Sequence, residues 1–147
     1  YPRPHALYRC DGRYLPALRA TDNQDDCVAL SWRPGAAPPR ALALVVSYGE
    51  RTADASSAVV NKLFEYDGAG FTSRAIEAAA ALLGAAWSSD GAHALICGER
   101  GALFSFDGET LTPIATRTKD NLVGPFWHPS GASALFLKGP DEKVYTV

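Results

Sequence analysis

One phrase recurs along this chain, and it limits the fold more than any other feature. The sequence reads "ALYRCDGRYL" at Ala6–Leu15, "KLFEYDGAGF" at Lys62–Phe71 and "ALFSFDGETL" at Ala102–Leu111, and it ends on "KVYTV", Lys143–Val147. Internal repeats are weighed first because a missed one misassigns the whole architecture. With the pairs Asp11-Gly12, Asp67-Gly68 and Asp107-Gly108 as anchors, the preceding columns align. They read Leu7, Leu63, Leu103 and Val144, then Tyr8, Phe64, Phe104 and Tyr145. Next come Arg9, Glu65, Ser105 and Thr146, then Cys10, Tyr66, Phe106 and Val147. Short, aromatic and partly alternating runs of this kind are strands. Asp-Gly after each predicts a tight hairpin whose two central residues both take positive φ. The strand beyond the turn aligns Tyr14, Phe71 and Leu111, with Pro16 and Pro113 sharing a column. Proline removes a ladder donor, so this strand is expected at a sheet edge.

A further strand ends in tryptophan each time. "VALSWRPG", "LGAAWSSDG" and "VGPFWHPSG" set Trp32, Trp87 and Trp127 in register, each followed by a glycine turn. A fourth strand follows as "ALALVVSYG", "AHALICGERG" and "SALFLKGPD". The last two tryptophans are forty residues apart and the first two fifty-five. The excess sits in "AAPPR" and in Gly49–Asn61, which reads as a long polar loop. "IEAAAALLGAAW" is the strongest helical stretch by propensity. It occupies the columns of "ATDNQDDCVALSW" and "ATRTKDNLVGPFW", which are not helical, so the repeat overrides propensity there.

The unit is therefore a four-stranded antiparallel meander of about forty residues. The pattern W-x-P/S-x-G, A-L-x-x-G, L-F/Y-x-x-D-G resembles WD40-like and related bacterial β-propeller repeats over nearly the whole chain. It departs from the strict pattern in lacking the Gly-His and Trp-Asp dipeptides, an Asp-box and the kelch double glycine. The expected fold is all-β, a partial or half propeller of about three blades. The whole chain, 1–147, is read as one propeller segment, with repeats at about 6–61, 62–101 and 102–142 and a further one beginning at 143–147. Counting from Ala6 gives strands C and D, then A to D twice, then A, B and C. Closed propellers hold about 4–8 blades. Three would leave apolar faces at both ends, and such patches mark interfaces. The resemblance thus implies protein partners: a second copy making a homodimeric ring, another propeller segment, or the rest of a larger propeller. The absence of Met and the start at Tyr1 read as a trimmed or excised piece.

Net charge is −2 and no basic run appears, which argues against nucleic acid and anionic membranes as partners. No apolar stretch is long enough for a spanning helix. Cys10, Cys27 and Cys97 fall in apolar columns and read as core residues, with a Cys10–Cys27 disulfide as the alternative. No metal spacing supports zinc. His5, His93 and His128 each stand alone in polar columns and read as rim positions. "WSSDG" has no matching His for a triad, and "GERGALF" is no P-loop. The evenly placed tryptophans read as packing between blades. A lectin reading would use them as sugar platforms, yet Arg33, Ser88 and His128 after them do not match.

No cofactor and no catalytic residue is expected. Asp22, Asp25, Asp26, Lys119, Asp120 and Asn121, in loops from the outer strand to the next inner one, are candidate partner-binding residues. Arg51 and Asp54 in the insertion join them, since loops on a rigid scaffold carry specificity. The aspartates also offer oxygens to a hard cation, though without EF-hand spacing. The preferred function is a non-catalytic interaction scaffold. The alternatives are a carbohydrate-binding propeller and part of a propeller hydrolase or lyase.

Overall fold

The computed structural model describes residues 6–8, 17–20, 25–51, 57–139 and 143–146. Within them are thirteen strands, no α-helix and a single 3-10 turn at Glu99–Gly101. β1 (Ala6–Tyr8) pairs with β2 (Ala17–Ala20) as a two-stranded sheet. The first large sheet is β3 (Asp25–Trp32), β4 (Ala41–Arg51), β5 (Ser57–Tyr66) and β6 (Phe71–Ile76), in that spatial order. The second is β7 (Leu82–Trp87), β8 (Ala94–Gly98), β9 (Leu103–Phe106) and β10 (Leu111–Pro113). The third is β11 (Asn121–Trp127), β12 (Ala134–Gly139) and β13 (Lys143–Thr146). Every neighbouring pair is antiparallel, so the protein is all-β, built of meanders compatible with blades.

The repeated columns become repeated register. Trp32 faces Ala41, Trp87 faces Ala94 and Trp127 faces Ala134, each tryptophan closing its strand. The ladder shifts at a similar place in all three first strands, between Cys27 and Ala29, Leu82 and Gly84, and Val123 and Phe126. These bulges re-aim the strand on an open edge, where bulges and proline are tolerated. Pro113 lies on the edge strand β10, as its column predicts. The helical stretch resolves into the end of β6, a connection and β7. Burial on both faces outweighs the alanines: Leu82, Ala85 and Trp87 are all buried.

Two expectations are corrected. The Asp-Gly hairpins are four-residue loops, and only Gly68 and Gly108 take positive φ there (97° and 105°). The Asp67 carboxylate accepts from the Ala69 and Gly70 N–H groups, and Asp107 accepts from Glu109 and Thr110. This Asx arrangement supplies the turn without forcing aspartate into the left-handed region. The Gly49–Asn61 loop is mostly strand, because β4 continues to Arg51 and β5 begins at Ser57. Alternating Val59, Asn61 and Leu63 can extend the ladder, so the insertion lengthens a ribbon. In the first repeat β2 is described at Ala17–Ala20, and the Tyr14–Pro16 column lies outside the described residues. Asp11 and Gly12 lie outside the described residues.

The sheets stack in sequence order, and each has a leading face toward the sheet before it and a trailing face toward the next. Leu42, Leu44, Leu63 and Ile76 on the first trailing face meet Ala85, Trp87, Ala94, Ile96 and Phe106 on the second leading face. Strand alternation then turns Leu95, Cys97 and Leu103 onto Leu122, Ala134, Phe136 and Trp127. The first strand of the second and of the third large sheet packs on the first two strands of the sheet before: β7 on β3 and β4, and β11 on β7 and β8. Gly84 exists for this approach, since a Cβ there would lie 1.9 Å from the Gly124 carbonyl oxygen.

Candidate interaction surface

The two junctions are fastened by side chains that cross them. At the first, Arg33 leaves the end of β3, lies with its Cζ 4.5 Å from the Trp87 ring centroid, and donates from Nε to the Gly91 carbonyl at 3.0 Å. Arg74 on β6 donates to the Glu109 carbonyl at 2.6 Å and pairs with Glu65 at 3.2 Å. On the opposite edge Asn61, buried on β5, donates to the Ala80 carbonyl at 3.0 Å and accepts from the Leu82 N–H at 2.9 Å. At the second junction the Trp127 indole N–H donates to the Ala86 carbonyl at 3.0 Å, and the Cys97 thiol donates to the Gly124 carbonyl at 3.3 Å.

The tryptophan column, equivalent in register, is unequal in exposure. Trp87 is 7% exposed, Trp127 is half-buried and Trp32 is 53% exposed. The difference follows position in the stack. Trp87 and Trp127 each have a preceding sheet against their face, whereas Trp32 stands at the front, meeting Tyr66 of its own sheet edge-on at 6.1 Å. The packing expected of the column thus holds at Trp87 and Trp127, and the ring a sugar platform would need is buried at Trp87.

The other exposed large apolar residues follow the same logic. Val28 and Leu30 accompany Trp32 on β3, while Val123 and Phe126 on β11 and Leu135 and Leu137 on β12 form the trailing face of the third sheet. Val60 is also exposed. The centre of the first leading face, Ala43, Val45 and Phe64, is buried, so the open part is the β3 strand. Register puts Leu30 and Trp32 in one row, which ends in Asp25, and sets Phe126 opposite Leu135 and Val123 opposite Leu137 in the other. With Val60 they are the exposed large apolar side chains among the described residues.

The polar candidates are spent largely on the fold. Asp25 and Asp26 belong to β3, paired with Ser47 and Val46, and are not in a loop. Asp120 pairs with Lys138 at 3.2 Å and its carbonyl accepts from Gly101. Asn121 opens β11 and accepts from the Arg100 N–H at 3.2 Å. Lys119 is exposed beside them. Arg51 ends β4; Asp22 and Asp54 lie outside the described residues. Lys119, Asp120 and Asn121 are thus neighbours by sequence at the start of β11.

The groups that could do chemistry are also committed. The Ser88 hydroxyl is buried and donates to Asp90, whose carboxyl it holds below the usual carboxylate range with help from the Ala92 N–H. His128, in the same column, is exposed as its rim reading expects, so Ser88 alone of the two is buried. His128 bonds Ser130 in its own turn, and His93 meets Trp127 edge-on at 5.1 Å. Burial pushes the free Cys97 thiol up to about 12, and Cys27, half-buried and free, is raised for the same reason. Cys10 and His5 lie outside the described residues. Among the described residues no three His, Cys, Asp or Glu side chains gather as a metal set. A cleft of about 180 Å³ opens beside the first junction, lined by Arg33, Arg40, Glu65, Asp67 and the Trp87 ring.

Arg33, Arg74 and Asn61 are the junction residues that sequence reading missed. Arg33 was legible only as a mismatch in its column, and Asn61 as the end of a supposed loop. Comparison of the chain with protein-family models, with curated proteins and with solved structures found no match.

Proposed function

We propose that this chain is a segment of a β-propeller acting as a non-catalytic interaction scaffold, whose ring is completed by further sheets of the same kind. One observation carries the reading. Apart from Val60 on β5, the exposed large apolar residues sit on the strands that the internal packing rule would cover: a first strand (β3) at the front, and a first and second strand (β11, β12) at the back. A scattered apolar surface would need no explanation. One concentrated on the strands of a repeating interface does. The serine, histidine and aspartate side chains taken up by turns support a binding role over a catalytic one.

The test is the paired variant Leu30→Asp with Leu135→Asp. The wild-type chain is expected to associate, or to bind an apolar dye at its open faces. The variant is expected to remain monomeric and bind less dye while keeping its β circular dichroism and cooperative melting. A wild-type monomer with no dye binding, indistinguishable from the variant, defeats the reading. So does unfolding of the variant, which would place both side chains in the core.

A further inference from the structure

We propose that the turn Glu99–Gly101, with the 116–121 segment that leads into β11, is a docking surface for an acidic peptide segment of a partner protein. The proposal rests on the scaffold reading and names a partner chemistry for it, and it needs neither open apolar face. Three hydrogen bonds hold the two segments together. The Gly101 N–H donates to the Asp120 carbonyl at 2.7 Å, and the Thr116 hydroxyl donates to the Gly101 carbonyl at 2.6 Å. The Arg100 N–H donates to the Asn121 side-chain oxygen at 3.2 Å. The approach is close: a Cβ on Gly101 would lie 2.0 Å from the Thr118 carbonyl oxygen.

Arg100 is the residue that points to a partner. Among the described residues it is the one non-glycine with positive φ, at φ 56° and ψ 32°. That region costs a residue with a Cβ free energy that glycine avoids and asparagine bears more easily. The turn therefore gives no reason for an arginine. The fold gives none either, since the side chain is exposed and has no hydrogen bond, ion pair or ring contact. Residues held in such regions gather at ligand clamps. On the adjoining segment Arg117 and Lys119 are also exposed and without an ion pair. Lys138 pairs with Asp120 at 3.2 Å, so that carboxylate does not answer them, and Glu99 is half-buried. Unpaired cations thus share one braced surface in a chain whose net charge is −2. Guanidinium and ammonium groups bind carboxylates through charge-assisted hydrogen bonds, and a braced loop has little freedom left to lose. A phosphodiester backbone is held through longer basic runs than this.

The test is fluorescence anisotropy of a labelled octaglutamate peptide titrated with the whole chain, with octalysine and single-stranded oligothymidine for comparison. Octaglutamate is expected to bind saturably and to weaken as salt rises. Arg100→Asn should weaken it about threefold, and the triple variant with Arg117→Ser and Lys119→Ser by about tenfold or more. Arg100→Asn should leave the melting temperature unchanged or raise it, because asparagine accepts the left-handed turn. A fall in melting temperature would assign the arginine to the turn and overturn the proposal. Arg40→Gln, which removes an exposed cation elsewhere, should leave binding unaltered. Absent octaglutamate binding, equal losses in Arg40→Gln and Arg100→Asn, or octalysine or oligothymidine binding as tightly would each overturn it too. All these outcomes leave the apolar faces to the dye and charge-variant test, so the two readings fail separately.

Discussion

The two junctions between successive sheets use the same columns and are held in different ways. Between the first and second sheets the core is broad, running from Leu42 and Leu44 through Trp87 to Phe106. Arg33 and Arg74 clasp it from one edge and Asn61 from the other. Between the second and third sheets the cluster is smaller, centred on Leu95, Cys97, Leu122 and Phe136. There a backbone approach at Gly84 and Gly124, the Trp127 indole bond, the Cys97 thiol bond and the Ser89 hydroxyl on the His128 and Pro129 carbonyls do the fastening. Even the tryptophans differ: the Trp127 N–H has an acceptor, while the buried Trp87 N–H has none and its ring lies against Arg33 instead. The columns of the repeat fix where sheets meet. The residues between the columns fix how firmly.

The largest expected effect falls on the broad core. Phe106 is 1% exposed, meets the Trp87 ring at a tilt with centroids 5.8 Å apart and lies under the Arg74 guanidinium at 5.1 Å. Phe106→Ala should cost about 3–5 kcal/mol through lost burial and the cavity left behind. Phe136→Ala, at the smaller junction, should cost less because the third sheet has more open surface into which to relax. Chemical denaturation of both variants checks the order, and a reversed ranking would break the contrast between junctions.

Asn61 comes next. Its side chain satisfies the Ala80 carbonyl and the Leu82 N–H, both in the buried connection into β7. Asn61→Leu should strand both groups, at about 1–3 kcal/mol each. Amide exchange at Leu82 should accelerate more than at Leu122, which enters the third sheet without such a clasp. Equal acceleration at the two sites would mean that the clasp is shared through the stack and not local to the first junction.

These residues show what was legible in the sequence and what was not. Strand number, strand order, the tryptophan register and the edge position of Pro113 could be read because each is a column property, and repeated burial preserves a column. The helix propensity of Ile76–Trp87 lost to that same repeated burial. Asn61, Arg33 and Arg74 were illegible because their partners are backbone groups brought close only by stacking, tens of residues away. Gly84 was illegible for the same reason. The Asp-Gly loops were misjudged in detail, since the dipeptide does not say whether the aspartate lends its backbone or its side chain to the turn. Of the candidate interaction surface, the sequence predicted apolar ends, and β3 and β11–β12 carry them.

A smaller effect tests the second junction alone. Trp127→Phe removes the bond to Ala86 while keeping most of the ring, at about 0.5–1.5 kcal/mol plus the lost ring volume. Trp87→Phe forfeits no such bond. A double variant with Phe136→Ala should cost less than the sum of its parts, because both side chains serve one interface. Full additivity, read from denaturation midpoints, would show that Trp127 fastens its own sheet and not the junction.

The smallest expected effect is electrostatic and separates the two Asx loops. Gly70 and Ala69 N–H groups hold the Asp67 carboxyl below its ordinary 3.8, and Thr110 and Glu109 do the same for Asp107. A carboxyl depressed in the folded state contributes stability above its unfolded value, and that contribution is lost as pH falls through the folded one. Melting temperature should therefore decline from about pH 5 downward. Asp67→Asn and Asp107→Asn keep the accepting oxygen and remove the charge, so each should flatten part of that decline. The two differ in their neighbours: Arg40 is the charge near Asp67, and the junction residue Arg33 is the charge near Asp107. Arg33→Gln should consequently shift the acid limb in a chain carrying Asp107 and leave it unmoved in one carrying Asp107→Asn. An equal shift in both backgrounds would confine Arg33 to its ring and carbonyl contacts, and the first junction would then owe nothing to charge.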